Sequence, residues 1–452
     1  MNTPQHVIVL IADSLRFDSV YANNDIRLPY FLQNGIQFTQ ARSSGCWTLP
    51  ATASLFTGLM PHQHGATSQT RFLNPDVPTL AEKLKQLNYN TYQVTANIAT
   101  THIFGLHRGF DEVRRTWKIV PAKFNRLQQF LALIGKPRIR QMLFSKDLLI
   151  KSLSEDIEAN KTWLQYTHLD TLHEARNIIA QNEAKNERSF IFINFMESHF
   201  PYHIAPTFQM LSPGIIKKFR ELTSLFNTLN QTFLRTDKLH VKEDMLQVLR
   251  ARQRKSWEVL APAINEFAEE MHKDHNTLVV FASDHGENFG EQGWLYHFSN
   301  VTEAGNRVPM FILPPNHHQP ITIDVEVNTK DLYHTIIKAC GGNTQHPSLL
   351  DEPQQSIPVM QSYWYNNHGK TLPKYKYNQI CFVNQGSRYL YRGDKWFTAP
   401  TTQYTETENK YEPLPGNANP LYDCIDNPTL RNELLKILSD FSVFSEKVGT
   451  GK

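Results

Sequence analysis

The fold is decided by an apolar run near the start of the chain, Val7-Ile8-Val9-Leu10-Ile11-Ala12. The run is continuous and rich in β-branched residues, which is typical of a strand buried on both faces of a parallel sheet. Two more runs of this kind occupy residues 190–195 and 277–282. Amphipathic helix patterns, such as residues 78–88, lie between the strands. This alternation predicts an α/β fold with a doubly wound, mostly parallel sheet flanked by helices.

Polar residues follow these strands. Asp13 comes directly after the first run, and His199 and Asp284-His285 come shortly after the other two. The segment Thr48-Leu49-Pro50-Ala51-Thr52 precedes a further helix pattern. Because the carboxyl ends of parallel strands form one ligand-binding edge, we expect these groups to lie together. Two Asp, a His and a hydroxyl suit one divalent cation, and a hydroxyl beside a cation becomes a usable nucleophile.

Composition excludes several classes of protein. The 46 Lys and Arg nearly balance the 43 Asp and Glu, so the net charge of +3 argues against a nucleic-acid-coating protein. The four cysteines form no CxxC pair, which argues against a zinc ribbon or a disulfide scaffold. No signal peptide pattern and no run of about 18 apolar residues is visible, so a cytoplasmic location is expected.

The pattern changes along the 452 residues. We predict a catalytic domain over residues 1–375 and a small α+β subdomain with an antiparallel sheet over residues 376–452. Residues 118–275 are expected to be mostly helical and to determine the substrate, since they carry no motif that we recognise. Lys and Arg are frequent between Lys123 and Lys151. A solvated helix face is favoured there over a membrane-surface contact, which nothing else in the sequence supports.

Several motifs in this order resemble the sulfatase-like branch of the alkaline phosphatase superfamily. Residues 8–18 resemble the family's first strand and metal-binding loop, and residues 46–58 resemble its nucleophile loop and the helix that follows. The further matches are residues 61–65 for the next turn, 283–287 for the second metal loop, 307–309 for the strand behind it and 421–423 for the small subdomain. The resemblance implies an alkaline phosphatase-like fold and a metal-dependent hydrolase of anionic esters.

The nucleophile loop departs from the family pattern. True sulfatases have Cys-x-Pro-x-Arg, whose Cys is converted to formylglycine. Alignment on Pro50 puts Thr48 at the Cys position and Thr52 at the Arg position, whereas Cys46 lies two residues too early. A phospho-threonine can be hydrolysed, but a sulfated Thr lacks the geminal hydroxyl that expels sulfate from formylglycine. Thr48 therefore favours phosphate mono- or diesters or phosphonates, with hydrolysis or phosphoryl transfer left open.

Two alternatives remain at this stage. One is a sulfuric ester hydrolase that works without formylglycine, and the other is a non-catalytic binding protein that keeps the fold. The expected partner is a small-molecule, lipid-linked or sugar-linked anionic ester rather than a nucleic acid, and the oligomeric state is left open.

The metal ligands also depart from the family pattern. Sulfatases usually have another Asp at the position of Ser14, and Asn or Gln at the position of His285. The expected ligands are Asp13, Thr48, Asp284 and His285, a set that fits Mn²⁺ or Zn²⁺ better than Ca²⁺ or Mg²⁺. We expect one metal, because the Asp-x-x-x-His pair of two-metal relatives is not found between residues 100 and 280.

The resemblance assigns substrate contacts to two histidines. His199 and His297 would bind a non-bridging oxygen or protonate the leaving alkoxide, because imidazole titrates near neutrality. For Arg16 and His64 the sequence leaves open whether they line the pocket or brace the loops, and Lys395 is a further candidate anion contact.

Overall fold

The computed structural model describes residues 3–21, 25–121, 162–200, 202, 243–291, 294–297, 300–344, 346–351, 357–363, 377–401, 412–416 and 418–449. The strands in chain order are β1 (His6–Ala12), β2 (Ile36–Arg42), β3 (Tyr89–Thr95), β4 (Glu112–Arg115), β5 (Trp117–Pro121), β6 (Thr162–Tyr166), β7 (Arg188–Phe195), β8 (Thr277–Ala282), β9 (Asn288–Phe289), β10 (Leu295–Tyr296), β11 (Met310–Leu313), β12 (Ile321–Asn328), β13 (Val359–Ser362), β14 (Gln379–Asn384), β15 (Ser387–Arg392), β16 (Lys395–Pro400) and β17 (Glu412–Pro413). The α-helices are α1 (Phe17–Tyr21), α2 (Pro29–Asn34), α3 (Thr48–Thr57), α4 (Pro61–His64), α5 (Leu80–Gln86), α6 (His168–Glu183), α7 (Glu243–Asp274), α8 (Glu303–Asn306), α9 (Leu332–Ala339), α10 (Pro420–Asp423) and α11 (Pro428–Gly449).

The central sheet has eight strands in the order β12-β2-β11-β8-β1-β7-β3-β4. Strand β11 runs antiparallel to both of its neighbours, and all other neighbouring strands are parallel. The predicted doubly wound, mostly parallel sheet is therefore confirmed. Because two antiparallel pairings separate β2 from β8, these two strands point the same way. The segment after β2 thus reaches the same sheet edge as the segments after β1 and β8.

Alternate residues of each central strand face opposite helical layers, as strand geometry requires. In β1, the odd-numbered residues pack in the core that contains α3, α5 and α9, and the even-numbered residues pack against α2, α6 and α7. In β8 the even-numbered residues Leu278, Val280 and Ala282 face the α3 layer. Asp13 and Asp284 continue these two alternations, so both carboxylates are directed to the side on which α3 lies.

The sequence did not reveal strand β2. The pattern of residues 27–41 predicts a short helix and a turn, but α2 ends at Asn34 and β2 follows at once. Only Ile36, Phe38, Ala41 and Arg42 of this strand are buried, and the polar residues between them hide the alternation. The strand carries the chain to the nucleophile loop.

The C-terminal residues form a second, antiparallel sheet of five strands, β13-β14-β15-β16-β17, with α11 packed on its apolar face. The predicted antiparallel sheet is confirmed. Strand β13 already pairs with β14, and the domain boundary at residues 375–376 stays a prediction.

A buried charge cluster joins the two sheets. Glu303 on α8 accepts from Arg42 at 2.9 Å and from Arg388 of β15, and Arg307 Nη1 lies 3.8 Å from the same carboxylate. Burial alone would raise the pKa of the Glu303 carboxyl, but the three guanidinium groups lower it to about 2. Glu303 therefore stays charged and ties the small sheet to the large one.

Part of the region expected to be helical can be described. Helix α7 covers residues 243–274, whereas residues 123–151 and 207–242 lie outside the described residues. Among the residues that the structure describes, no helix is long and apolar enough to cross a membrane.

Candidate metal centre and active site

Two carboxylates and one imidazole meet at the carboxyl edge of the central sheet. Asp13 follows β1, and Asp284 and His285 follow β8. One ligand atom from each lies within 4.8 Å of the others, and all three residues are buried. His285 Nε2 is 3.7 Å from Asp13 Oδ1 and 3.5 Å from Asp284 Oδ2.

Main-chain hydrogen bonds hold the two metal-side loops together. Ser14, in a left-handed conformation at φ 60°, donates its N–H to Asp284 Oδ1 at 3.2 Å. The Ser283 hydroxyl donates to the carbonyl of Ala12 at 2.7 Å. Gly286 lies so close to the backbone of Ala304 that any Cβ would overlap its carbonyl oxygen. The Ser-Asp-His-Gly spacing is therefore a packing requirement as well as a ligand pattern.

The electrostatics of this cluster fit a bound cation. Burial, reinforced by Asp13, raises the pKa of Asp284 well above its usual range, and burial lowers the pKa of His285 to about 4. His285 Nδ1 donates to the carbonyl of Gly286 at 2.8 Å, so its Nε2 carries the lone pair. Both His285 Nε2 and Asp284 Oδ2 are buried without a hydrogen-bond partner. A divalent ion would satisfy these two atoms and keep both carboxylates charged.

Thr48 is the first residue of α3 and faces this cluster. Its Oγ1 donates to Asp13 Oδ2 at 3.2 Å. The sequence pattern predicts a helix over residues 51–59, whereas α3 begins at Thr48, and Pro50 is tolerated because it lies in the first turn. Gly58, at φ 69°, ends the helix as expected. The positive end of the helix dipole is thus directed at the Thr48 hydroxyl, where it would favour an anion.

Cys46 lies elsewhere. Its Sγ is 3.5 Å from the hydroxyl of Ser362 on β13, and the residue is buried. The structure therefore places Thr48, and not Cys46, beside the carboxylate cluster.

Asn97 is a site residue that the sequence analysis missed. Its Nδ2 donates to Asp13 Oδ2 at 2.5 Å, and its Oδ1 accepts from the N–H of Ala99 at 2.7 Å. The second bond fixes the amide so that its NH₂ group faces Asp13. Asn97 follows β3, so the rule applied to the other strand ends would also have pointed to it.

The two predicted substrate histidines converge on the same edge. The ring of His297 lies 4.5 Å from that of His285 and 5.4 Å from that of His199. His297 Nδ1 pairs with Glu287 Oε1 at 3.0 Å, a partner that the sequence analysis did not identify. His199 Nδ1 donates to the carbonyl of Phe200 at 2.7 Å, and His199 remains half-buried. In each ring Nδ1 is engaged, so a substrate contact would be made through Nε2; Nε2 of His199 also lies 3.5 Å from the hydroxyl of Tyr296.

The other predicted substrate contacts lie apart from this cluster or are already engaged. The Arg16 guanidinium is held by Asp18 at 2.7 Å and by Glu291 at 2.8 Å. His64 is fully buried, accepts from the N–H of Ala66 at Nδ1 and pairs with Ser54 at Nε2, which makes it a brace between α3 and the following loop. Lys395 is exposed at the start of β16, and no contact links it to the metal-side cluster within the described ranges.

A sequence model described as Sulfatase matches residues 5–342. The chain belongs to the sulfatase family. Among curated members, it is 22% identical over 357 residues to an ulvan-active sulfatase of Formosa agariphila, covering 74% of this chain and 61% of that protein. A sulfatase of the same organism is 27% identical over 113 residues, covering 23% of this chain and 22% of that protein. The chain thus spans less than two thirds of the length of these curated relatives.

The fold of this sulfatase-family chain is shared with solved structures. A phosphonate monoester hydrolase from Silicibacter pomeroyi is similar, with a TM-score of 0.62 and 16% identity, over 96% of this chain and 95% of that one. At this identity the likeness establishes the alkaline phosphatase-like fold.

Proposed function

We propose that the chain is a metal-dependent hydrolase, or phosphoryl transferase, that acts on phosphate mono- or diesters or on phosphonates through Thr48. The observation that carries this proposal is the hydrogen bond from the Thr48 hydroxyl to Asp13, a member of the Asp-Asp-His cluster. The candidate nucleophile thus bonds directly to its proton acceptor, and that acceptor belongs to the candidate metal cluster. The substrate is an anionic ester of a small molecule, a lipid or a sugar.

The first half-reaction would use the chain's own groups as follows. Thr48 Oγ attacks phosphorus while its proton moves to Asp13 Oδ2, the atom to which it already donates. The Oγ–P bond forms as the bond between phosphorus and the leaving oxygen breaks, giving phospho-Thr48. One divalent ion held by Asp13, Asp284, His285 and Thr48 would neutralise charge on the phosphoryl oxygens.

The leaving group needs a proton, and the histidine pair supplies a source. His297 and His199 both direct Nε2 away from the atoms that hold their Nδ1. One of them, protonated on both ring nitrogens, would give its Nε2 proton to the departing alkoxide and become neutral, and the other would bind a non-bridging oxygen. In the second half-reaction, water gives a proton to the histidine that is now neutral and attacks phosphorus. The Oγ–P bond of phospho-Thr48 breaks, and the Thr48 oxygen takes back its proton from Asp13. A second alcohol in place of water would make the reaction a transfer.

The donor set also supports the choice of metal. Two carboxylates, one imidazole and one hydroxyl form a mixed oxygen and nitrogen site. Such a site favours Mn²⁺ or Zn²⁺ over Ca²⁺ or Mg²⁺, because the latter two ions prefer ligand sets made only of oxygen. One ion is proposed, since this cluster is the one group of three or more Asp, Glu, His or Cys with metal-binding geometry in the part of the chain that is described.

Sulfuric ester hydrolysis is the second candidate, and the names of the curated relatives favour it. It would require release of sulfate from Thr48 without the geminal hydroxyl of formylglycine. A binding protein that has lost catalysis is the candidate of another class. The buried, partnerless His285 Nε2 and Asp284 Oδ2 argue against it, because an idle site has no need to keep them.

One experiment separates these three functions. The purified protein is assayed with p-nitrophenyl phosphate, a phosphodiester, a phosphonate monoester and p-nitrophenyl sulfate, with Mn²⁺, Zn²⁺, Ca²⁺, Mg²⁺ or no metal. We expect metal-dependent turnover of phosphorus esters, loss of that turnover in Thr48→Ala, and unchanged bound metal in the variant. Thr57→Ala, on the same helix but bonded to the carbonyl of Ala53, is the matched control and should stay active. Turnover of sulfate alone supports the second candidate, and absence of both metal and turnover supports the third.

A further inference from the structure

A row of side chains on α3 faces the central sheet behind Thr48. Residues 48, 52 and 56 are four apart and therefore share one face of the helix. At one end of the row Thr48 bonds to Asp13, and at the other the ring of Phe56 lies 4.7 Å from that of Phe192 on β7. Thr52 stands between these two contacts and is 1% exposed.

The sheet presents Asn194 at the matching level. Phe190 and Phe192 of β7 pack in the α3-side core, so Asn194, two residues farther on, faces the same side. Asn194 is in register with Ile11 of β1, two residues before Asp13. One helical turn of α3 and two residues of strand both advance by about 6 Å. Thr52 therefore stands opposite Asn194, one layer behind the Thr48–Asp13 contact.

The polar atoms of this layer are buried without partners. Asn194 is 0% exposed, and neither its Nδ2 nor its Oδ1 makes a hydrogen bond. The same holds for Thr52 Oγ1 and for Oε1 of Gln93, which lies on the neighbouring strand β3. By contrast, Thr95, the register partner of Asn194, has its hydroxyl bonded to Thr100 at 2.8 Å. Buried donors and acceptors rarely lack a hydrogen-bond partner. The atoms of this layer therefore indicate a small polar molecule that bonds to them.

We propose that Thr52 and Asn194 bind an internal water molecule that fixes α3, and with it Thr48, at its height above Asp13. The occupant must accept from Asn194 Nδ2 and donate to an oxygen, which a metal cation cannot do. The side chains named in this layer, Thr52, Asn194, Gln93 and Thr95, are all uncharged, which also argues against an ion. A water with two to four such partners is the usual solution for this kind of site. Thr52 and Asn194 would then be positioning residues; this catalytic part rests on the proposed function.

The test uses isosteric and conservative changes at the two positions. A dry layer would gain stability when its partnerless polar atoms are removed, whereas a hydrated layer would lose the bonds to its water. We therefore expect Thr52→Val and Asn194→Leu each to lower Tm by about 2 °C or more. They should also lower kcat about tenfold at unchanged KM and metal content. Thr52→Ser, which keeps the hydroxyl, should restore both values, and a high-resolution crystal structure of the wild type should show density within hydrogen-bond distance of Thr52 Oγ1 and Asn194.

Thr57→Val serves as the control, because that hydroxyl already bonds to the carbonyl of Ala53 at 2.7 Å. It should lower Tm and leave kcat unchanged. A rise in Tm for Thr52→Val together with no density between Thr52 and Asn194 would overturn the water site, and an unchanged kcat in both variants would overturn the positioning role. If the wild type turned over no ester at all, the proposed function would fail, while the density and the Tm values would still decide the water site.

Discussion

Thr48 Oγ1 donates to Asp13 Oδ2 across 3.2 Å, although the two residues follow different strands of the central sheet. Asp13 closes β1, whereas Thr48 opens the helix that follows β2. The same oxygen of Asp13 also accepts from Asn97 at 2.5 Å. One oxygen of Asp13, a candidate metal ligand, thus bonds both to the candidate nucleophile Thr48 and to the side-chain amide of Asn97.

Asn97→Ala should weaken catalysis by releasing the Asp13 carboxylate. Loss of a group that orients a metal ligand typically costs about 10- to 100-fold in activity or metal affinity. We expect a loss in that range, measured as kcat on the best phosphorus ester and as bound Mn²⁺ or Zn²⁺ in a metal titration. Asn90→Ala is the control, because Asn90 lies on β3, the strand that Asn97 follows, but bonds to Asn182 and Glu187 instead. Equal kcat and equal metal affinity in Asn97→Ala and wild type would mean that this amide does not orient Asp13.

His297→Gln should reveal whether His297 protonates the leaving group. Its effect depends on the substrate, because p-nitrophenolate departs without a proton and an alkoxide does not. We expect a loss of about 100-fold or more in kcat for an alkyl ester and less than about 10-fold for the p-nitrophenyl ester. His199→Gln, measured in parallel, assigns the same role to the other ring if it shows the larger difference. Equal losses on both substrates in both variants would assign the two histidines to binding.

Glu303→Gln should be among the most destabilising single changes in the chain. It leaves the buried Arg42 and Arg388 without their carboxylate, a situation that typically costs about 3–5 kcal/mol. Urea unfolding of the variant and of the wild type measures the difference. The control is Glu258→Gln, which removes a surface partner of Lys255 and should cost less than about 1 kcal/mol. Similar midpoints for the two variants would show that the Glu303 cluster does not hold the sheets together.

His64 should make the fold sensitive to mild acid. Burial lowers its folded-state pKa to about 3, whereas the unfolded chain takes up a proton near 6.5. The unfolded state therefore binds one more proton between these values, and stability falls by about 1.4 kcal/mol per pH unit as pH drops below 6.5. In His64→Asn, the slope of unfolding free energy against pH between 5 and 6.5 should be smaller by about 1 kcal/mol per pH unit, since the unfolded histidine is only half protonated at the upper end of this window. This holds even if the variant is less stable throughout. An unchanged slope would mean that His64 takes up its proton in the folded state as readily as in the unfolded state, and so would contradict the lowered pKa.

Much of this site followed from strand ends alone. Asp13, Asp284 and His285 each follow an apolar run, and the parallel sheet brings such ends to one edge, so their meeting could be predicted. The segment from Thr48 to Thr52 was expected at the same edge, but the choice of Thr48 within it required the family motif. The strand that precedes this segment was hidden by its half-buried pattern. That local misreading did not affect the position of the loop, since β2 still points to the same edge.

Other contacts depend on packing that no local pattern encodes. Glu303 and Arg388 are far apart in the chain, and their pairing depends on how the two sheets meet. The sequence left open whether His64 lines the pocket or braces the loops, and in the structure both of its ring nitrogens bond within the scaffold. Thr52 occupies the position of the Arg in the family motif, and in the structure its hydroxyl is buried opposite Asn194. In each case the deciding fact is a neighbour from a distant part of the sequence.

The central claim is that Thr48 carries the phosphoryl group during turnover. Acid quenching of the metal-loaded enzyme during turnover of its best phosphorus ester, followed by peptide mass analysis, tests this directly. We predict one added phosphoryl group on the peptide that contains Thr48, and its absence in Thr48→Ala, which should also be inactive. Full turnover by Thr48→Ala, with no phosphoryl group on the Thr48 peptide of the wild type, would contradict the claim.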